Sequence, residues 1–286
     1  MTAPICPLCK GVGALFAQHP EAHMYRCASC QHCFSDPASL TALETYDADY
    51  YERKHRRWFE NPDIGLFEAI IKTTNSLQPT ARRILDIGCG RGDFLRHWAS
   101  RVPGLEFIGI DFSDNPPQPG IQIRKGDFFT EEFSGRFDVV TNFMVIEHVA
   151  DPIAFICRLS AITNANGLIF INTINEQSVL YRLADLARRL GLHGPFNRLY
   201  SRHHLNHFNT ASLRSLVESN GLTIVHHHRT NMPLAAVDFG DVGMMTGFIY
   251  RLGVSFAFAL GTLSGATYAQ TLVCRPSQID AGDVRV

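Results

Sequence analysis

Short apolar runs alternate with helical stretches from Arg83 onward, and this alternation constrains the fold of the 286-residue chain more than any other feature. The runs are ILDIG, FIGID, IQIRKGD, FDVVTNF and LIFINT, and segments between them, such as Ile153 to Ile162, have helical spacing. Such alternation is typical of parallel strands joined by crossover helices. Since 45% of the residues are hydrophobic, the chain can bury the core that this fold needs. We therefore predict an α/β sheet with helices on both faces.

A glycine-rich loop follows the first apolar run. The residues from Ile84 to Gly92 read ILDIGCGRG, an apolar strand that leads into a G-x-G-x-G loop and then a helix. Glycine lets the backbone approach a ligand at the carboxyl edge of a sheet. Dinucleotide-binding loops carry G-x-G-x-x-G instead and hold pyrophosphate at the helix N-terminus. Because Asp86 precedes the glycines, this loop favours a ligand with a cationic amino-acid tail, such as S-adenosylmethionine.

Acidic residues also follow the next two strands. Asp111 lies about 20 residues beyond the loop, where an acceptor for ribose hydroxyl groups is expected. Asp127 and Phe128 then supply an acid and an aromatic ring for adenine. The alternative is that both carboxylates are solvated strand ends. The coincidence of motifs on consecutive strands favours the cofactor site.

The sequence at this point resembles the class I S-adenosylmethionine-dependent methyltransferases. The resemblance covers residues 83–174 through LDIGCGRGDFL, GIDFS, KGDFF, FDVVTNFMVIEHVADP and NGLIFINTIN, and it implies a Rossmann-like sheet of seven strands. Ile174 stands where related proteins often have proline, a change that should leave cofactor binding intact. The cofactor-binding set that the resemblance implies is Asp86, Gly88, Cys89, Gly90, Asp111, Phe112, Asp127, Phe128, Asn142, Phe143 and Tyr51.

Two Cys-x-x-Cys pairs lie near the N-terminus. Cys6 and Cys9 form the first pair and Cys27 and Cys30 the second, with seventeen residues between them. This spacing predicts a structural zinc site, because four thiolates complete a tetrahedral shell and leave no open catalytic position. The alternative is two disulfides or four buried thiols. A segment with so few large apolar residues needs a staple to fold, and zinc supplies one.

These motifs divide the chain into three predicted parts. Residues 1–40 are predicted to form the zinc ribbon, and residues 41–80 a helical linker that covers the cofactor. Residues 81–286 are predicted to form the methyltransferase domain, with a lid at about 175–208 that closes over the substrate.

Three histidines are candidates for a general base. Methyl transfer to oxygen or nitrogen depends mostly on positioning, and a base is needed only where the nucleophile carries a proton of high pKa. His148 follows the fourth strand at the carboxyl edge and is the first candidate; the alternative is that Glu147 and His148 only cap the next helix or pack the cofactor loop. His204 and His207 are second candidates in the lid, with structural histidines as the alternative.

The composition of the lid and of the C-terminal segment indicates which chemical classes of acceptor the protein could bind. Arginines concentrate in the lid, which suits a phosphorylated or carboxylated acceptor, although a solvated helix face explains them equally well. The uncharged stretch from Leu252 to Cys274 is interrupted by glycine, serine, threonine and glutamine, so we expect no transmembrane helix. We expect FIYRLGVSFAFALG to form a buried or lipid-facing amphipathic helix, which leaves room for peripheral membrane contact and a lipid-linked acceptor.

Charge and cysteine usage limit the remaining classes. The net charge of -1 gives no global attraction to nucleic acid or anionic membranes. We expect no secretory signal and a reducing, cytoplasmic location. The predicted function is S-adenosylmethionine-dependent methyl transfer to a small-molecule or glycan-pathway acceptor, with O- or N-methylation favoured over C-methylation. The alternatives are RNA methylation guided by the zinc ribbon, which lacks a basic patch, and a non-catalytic cofactor-binding module.

Overall fold

The computed structural model describes residues 3–40, 56–116, 118–200, 204–238 and 243–277. The strands in chain order are β1 (Gly13–Gln18), β2 (His23–Cys27), β3 (Cys33–Ser35), β4 (Arg83–Ile87), β5 (Glu106–Asp111), β6 (Gln122–Lys125), β7 (Phe137–Phe143), β8 (Thr163–Ile174), β9 (Asn206–His207), β10 (Leu222–Thr230) and β11 (Ala269–Pro276). The helices are α1 (Arg56–Glu60), α2 (Ile64–Leu77), α3 (Asp93–Ala99), α4 (Pro152–Ile162), α5 (Val179–Arg189), α6 (His193–Leu199), α7 (Thr210–Ser219) and α8 (Met244–Ser264).

Seven strands form the main sheet, in the order β10-β11-β8-β7-β4-β5-β6. The strands from β8 to β6 in this order are parallel to their neighbours, and β11 pairs antiparallel with both β8 and β10. The connections between the parallel strands that include α3 and α4 bring the chain back along the sheet, as parallel pairing requires. The predicted seven-stranded, Rossmann-like sheet is confirmed.

Helices cover both faces of this sheet because neighbouring strand residues point to opposite sides. Ile84 belongs to the apolar cluster formed with α2 and α3, whose members include Ile70 and Trp98. Leu85, the next residue, belongs to the cluster formed with α4 and α7, whose members include Ile156. The strands therefore carry near-continuous apolar runs, and their carboxyl ends meet at one edge of a rigid core.

The N-terminal ribbon has a four-stranded sheet of its own, in the order β1-β2-β3-β9. Its fourth strand, β9, comes from the predicted lid and pairs with β3 through Cys33↔His207 and Phe34↔Asn206. Buried His32 hydrogen-bonds the side chains of Asn206 and Ser212. The predicted ribbon, residues 1–40, thus shares its sheet with the segment predicted as the lid.

Helix α8 is the one helix in the described part of the chain that is long and apolar enough to cross a membrane, and this is weak evidence for a span. Only 17% of its apolar window is buried. Ala257, Phe258 and Gly261 face the protein, whereas Met244, Phe248 and other large apolar side chains face outward. The predicted helix exists and is mostly exposed. The expectation that the chain has no transmembrane helix stays a prediction.

Candidate active site

A cavity of about 640 Å³ lies at the carboxyl edge of the main sheet. Its floor is formed by residues that follow β4, β5 and β7, the position at which open α/β sheets bind ligands. Side chains from α1, α2, α5, α6 and α8 complete the wall. Of the cofactor-binding residues predicted from the sequence, Tyr51 lies outside the described residues. Those that line the cavity are Asp86, Gly88, Cys89, Gly90, Asp111, Phe112, Asp127, Phe128 and Phe143.

The glycine loop after β4 has a backbone that only glycine adopts without strain. Gly88, Gly90 and Gly92 have φ of 68°, 52° and 74°, in the left-handed region. A Cβ atom at Gly88 would lie 2.5 Å from a methyl carbon of Val145, which also lines the cavity. The amide of Gly90 donates to Asp111 over 2.9 Å, and this bond joins the loop to the end of β5. The loop is therefore held open toward the cavity.

The three carboxyl groups predicted to bind the cofactor border the cavity in different environments. Asp86 is 1% exposed and accepts a hydrogen bond from Thr141 over 2.7 Å. Burial raises the pKa of Asp86 to about 8. Asp111 accepts the bond from the glycine loop, and Asp127 accepts one from the amide of Phe129. A cation placed beside Asp86 would stabilise its ionised form.

Neighbouring residues of β7 differ in their access to the cavity. Phe143 lines it and packs edge-on against Phe94, with ring centroids 5.0 Å apart. Asn142 is buried and donates through Nδ2 to the carbonyl of Phe170 on β8, over 3.0 Å. Asn142 therefore does not line the cavity, because alternation along the strand directs its side chain to the opposite face of the sheet from Phe143. Its place on the methyl-donor side stays a prediction that this contact does not support.

A polar cluster of Glu147, His148 and His204 also lines the cavity. Glu147 and His148 lie on the short 3-10 turn after β7, and His204 precedes β9. The rings of the two histidines have centroids 4.9 Å apart. Glu147 is 1% exposed, and burial raises its pKa to about 7. Two of the predicted base candidates, His148 and His204, thus lie together at the cavity. Glu147, which the sequence indicated only as a capping or packing residue, lies beside them.

His207 does not line the cavity. It is buried in β9, where Nε2 lies 3.2 Å from the hydroxyl oxygen of Ser35. Burial lowers its pKa to about 3. The role of His207 as a general base stays a prediction, and this placement does not support it, because strand pairing with the ribbon buries the histidine outside the cavity.

The lid arginines are distributed between the surface and the cavity. Arg188 and Arg189 both form ion pairs with Asp185 on α5, and neither lines the cavity. Arg198 on α6 does line it. Arg202 lies outside the described residues. Among the described lid arginines, Arg198 is therefore the one that lines the cavity.

The four ribbon cysteines converge as the spacing predicted. Sulfur atoms of Cys6 and Cys30 lie 3.7 Å apart, and those of Cys9 and Cys27 lie 3.4 Å apart. All four lie within 4.8 Å of one another. A tetrahedral zinc site with Zn–S bonds of about 2.3 Å has sulfur–sulfur edges of roughly 3.8 Å, so the group fits zinc. The distances are too long for disulfides.

Comparisons with known proteins agree with this geometry. Residues 41–227 match the family model described as a methyltransferase domain. A ubiquinone biosynthesis O-methyltransferase of Ruegeria sp. (strain TM1040) is 36% identical over 172 residues, which are 52% of this chain and 68% of that protein. A protein of the same name from Colwellia psychrerythraea is 34% identical over 117 residues, 37% of this chain and 47% of that relative, so the chain spans about half of its length.

A chain of the solved complex between the Haloferax volcanii Trm112 methyltransferase activator and a methyltransferase shares the fold. Its TM-score is 0.51 at 14% identity, over 80% of this chain and 93% of that chain. Since the family model covers more than half of the sequence, and the sheet order and glycine loop agree with it, the chain belongs to the class I S-adenosylmethionine-dependent methyltransferases.

Proposed function

We propose that this methyltransferase methylates a hydroxyl oxygen of a small acceptor molecule with an apolar body. The observation that carries the proposal is the composition of the cavity, in which the polar cluster stands among mainly apolar walls such as Leu66, Met232 and Phe258. Apolar walls bind an apolar body and leave a few polar groups to orient its reactive end. The names of the relatives, ubiquinone biosynthesis O-methyltransferases, support oxygen as the acceptor atom.

The predicted glycan-type acceptor fits these walls less well. A sugar brings several hydroxyl groups, each of which needs a polar partner when water is excluded. A phenol or a lipid-linked intermediate needs only one polar anchor at the reacting oxygen. We therefore favour an acceptor of this second kind.

The residues at the glycine loop fit S-adenosylmethionine. Gly88 leaves the space that a Cβ atom would occupy. Asp86 is a buried carboxyl group with a raised pKa, and an ammonium group would stabilise its ionised form. Asp111 suits the ribose hydroxyl groups, and Asp127 with Phe128 suits the adenine. When bound, S-adenosylmethionine supplies an electrophilic methyl group on a sulfonium.

The polar cluster would activate the acceptor. A hydroxyl group of high pKa is a weak nucleophile until it loses its proton. His148 is our first candidate for the contact with this hydroxyl, and His204 is the second. Because one comes from the sheet edge and the other from the lid, the two would hold the acceptor oxygen from opposite sides.

We further propose that the acceptor reaches the cavity from a membrane surface. Helix α8 exposes large apolar side chains along its length, including Phe248 and Leu252, and α5 exposes Leu186 beside it. Patches of this kind on a protein surface mark contact sites. Helix α5 also carries three arginines against one aspartate, which suits anionic lipid head groups. Phe258 of α8 and Leu180 of α5 line the cavity, so the exposed face borders the site.

The ribbon is proposed to hold one structural zinc ion. Four free thiols at tetrahedral spacing fit this ion, and a closed shell of four sulfur ligands leaves it no catalytic role. The predicted cytoplasmic location stays a proposal, supported by these reduced cysteines.

Transfer of a labelled methyl group from S-adenosylmethionine to a panel of acceptors tests the reaction. We expect methylation of phenols, increasing when the ring carries an alkyl or prenyl chain, and no methylation of amines or of RNA. His148→Asn should lower turnover by about two to four orders of magnitude with unchanged affinity for S-adenosylhomocysteine. His193→Asn, on the exposed start of α6, is the matched control. Preferred methylation of an amine or of RNA would refute the proposal.

Sedimentation with lipid vesicles tests the membrane contact. We expect binding to vesicles with anionic lipid and weaker binding to neutral vesicles. Leu252→Ser should reduce binding, whereas Leu15→Ser on the ribbon should not, although the two side chains are 56% and 54% exposed. Equal binding by both variants would show that α8 does not contact the membrane.

A further inference from the structure

We infer that Glu147, His148 and His204 form a binding site for a divalent cation in the active-site cavity, separate from the zinc ribbon. The chemical role of this site deepens the proposed hydroxyl methylation and rests on it.

The first observation is geometric. One potential ligand atom from each of the three residues lies within 4.8 Å of the others. A cation bound at about 2.0–2.2 Å by nitrogen and oxygen ligands holds those ligands at most roughly 4 Å apart, so small side-chain movements close the site. Glu147 and His148 are adjacent on one short turn, and the pairing of β9 with β3 holds the segment that carries His204. The backbone thus brings the three side chains together without the cation.

The second observation is the environment of Glu147. Its Oε2 accepts a hydrogen bond from Thr173 over 2.9 Å, whereas its buried Oε1 has no hydrogen-bond partner among the described residues. Burying a carboxyl oxygen without a partner is unfavourable, and a bound cation removes that cost. The bond from Thr173 would orient the carboxylate, as outer partners of metal ligands commonly do. The unpartnered oxygen therefore points to a missing ligand in the cavity.

The ligand types indicate the class of cation. Two imidazoles and one carboxylate suit zinc, manganese and other transition-series divalent ions, whereas magnesium and calcium prefer oxygen ligands throughout. Three protein ligands leave at least one coordination position open, as in catalytic sites and unlike the ribbon with its four sulfurs. The open position faces a cavity that can hold the acceptor.

A cation here would activate the acceptor hydroxyl. Coordination lowers the pKa of a bound hydroxyl group, so its proton passes to water and the oxygen becomes nucleophilic near neutral pH. The oxygen then forms a bond to the methyl carbon, the carbon–sulfur bond breaks, and its electron pair stays on the sulfur. In this arrangement His148 and His204 act as cation ligands and no histidine has to accept the proton.

Manganese titration followed by electron paramagnetic resonance tests the site. The full chain is used with its ribbon zinc in place, because manganese competes poorly for four thiolates. We expect one bound Mn²⁺ per chain in the absence of acceptor and cofactor, displaced by Zn²⁺. Glu147→Gln and His204→Asn should each weaken binding at least tenfold. Glu218→Gln and His193→Asn, at exposed positions, should leave it unchanged.

The outcomes separate this inference from the proposed function. Absence of any cation beyond the ribbon zinc in the wild-type chain, or undiminished binding in both cluster variants, would overturn the inference while methylation of phenols still stood. Cation binding without methylation of any hydroxyl would refute the proposed function and leave the site. Affinity for S-adenosylhomocysteine verifies that each variant is folded, and half-buried His204 carries the test if Glu147→Gln does not fold.

Discussion

Replacement of Gly88 by alanine should damage the cofactor loop through two separable effects. The residue has φ of 68°, and an added Cβ atom would lie 2.5 Å from a methyl carbon of Val145. The first effect is the left-handed backbone, and the second is the collision with Val145. Gly120 isolates the first effect, because its φ is 77° and no atom in the described part of the chain lies within 4 Å of its Cβ position.

The two effects have different magnitudes. A left-handed conformation costs a non-glycine residue roughly 1–2 kcal/mol, so Gly120→Ala should lower the free energy of unfolding by that amount. Crowding in a packed region adds about 1–3 kcal/mol, so Gly88→Ala should cost roughly 2–5 kcal/mol in all. In a Val145→Ala background the collision disappears, and Gly88→Ala should lower the free energy of unfolding only by the cost of the left-handed backbone, roughly 1–2 kcal/mol.

Urea unfolding of Gly88→Ala, Gly120→Ala, Val145→Ala and the double variant Gly88→Ala/Val145→Ala measures these differences in the free energy of unfolding. Calorimetry with S-adenosylhomocysteine measures the affinity of the site that the loop borders. We expect Gly88→Ala to weaken binding at least tenfold, since both Gly88 and Val145 line the cavity, and we expect Gly120→Ala to bind normally. Equal losses of stability at the two glycines, or no recovery in the Val145→Ala background, would refute the claim that close approach to Val145 requires glycine here.

Three further predictions follow from the buried groups. Because Asp86 keeps its proton up to a pKa of about 8 in the folded state, the folded chain holds a proton at this group that the unfolded chain has released. Relative to Asp86→Asn, the free energy of unfolding of the wild-type chain should therefore fall by up to about 1.4 kcal/mol per pH unit as the pH rises from roughly 4 to 8, as urea unfolding of both chains can measure. Arg26→Met should cost about 3 kcal/mol, because it leaves buried Glu176 without its ion-pair partner, and Glu176→Gln in the same chain should recover part of that loss. Cys27→Ser should remove the ribbon zinc detected by metal analysis and lower turnover, with affinity for S-adenosylhomocysteine kept; loss of that affinity as well would show that the ribbon is needed for the main sheet.

The sequence predicted the parts of the structure that local patterns determine. The strand that ends at Ile87, the glycine loop after it and the helix that begins at Asp93 are adjacent in the chain. Their apolar runs and glycines specify them without reference to distant residues. The convergence of the four cysteines could be predicted for the same reason, because the two cysteines of each pair lie on one tight turn.

The parts that the sequence did not predict depend on distant contacts. Strand β9 has two residues and pairs with β3 about 170 residues earlier, a contact that no periodic pattern reveals. His207 looked like a base candidate because its neighbours resemble a substrate-closing segment, but pairing with the ribbon buries it. Asn142 and Phe143 were predicted together, although alternation along a strand allows only one of two neighbours to face a given side. The environment of Glu147 also depends on distant contacts, because His204 reaches it from a segment more than 50 residues later in the chain.

The ribbon and the active site are mechanically connected through β9. A zinc ion bound by the four cysteines would order β2 and β3. Strand β3 pairs with β9, and His204 lies two residues before β9. Strand β9 also contacts the active site directly. Nδ2 of Asn206 donates to the carbonyl of Val149 over 2.7 Å, and Val149 lies one residue beyond the turn that carries Glu147 and His148. A ribbon without zinc would therefore release one wall of the acceptor site while the glycine loop, built on β4 and β5, stayed in place. In this arrangement the proposed structural zinc would position the acceptor site through β9, with no contact between the ribbon and the acceptor.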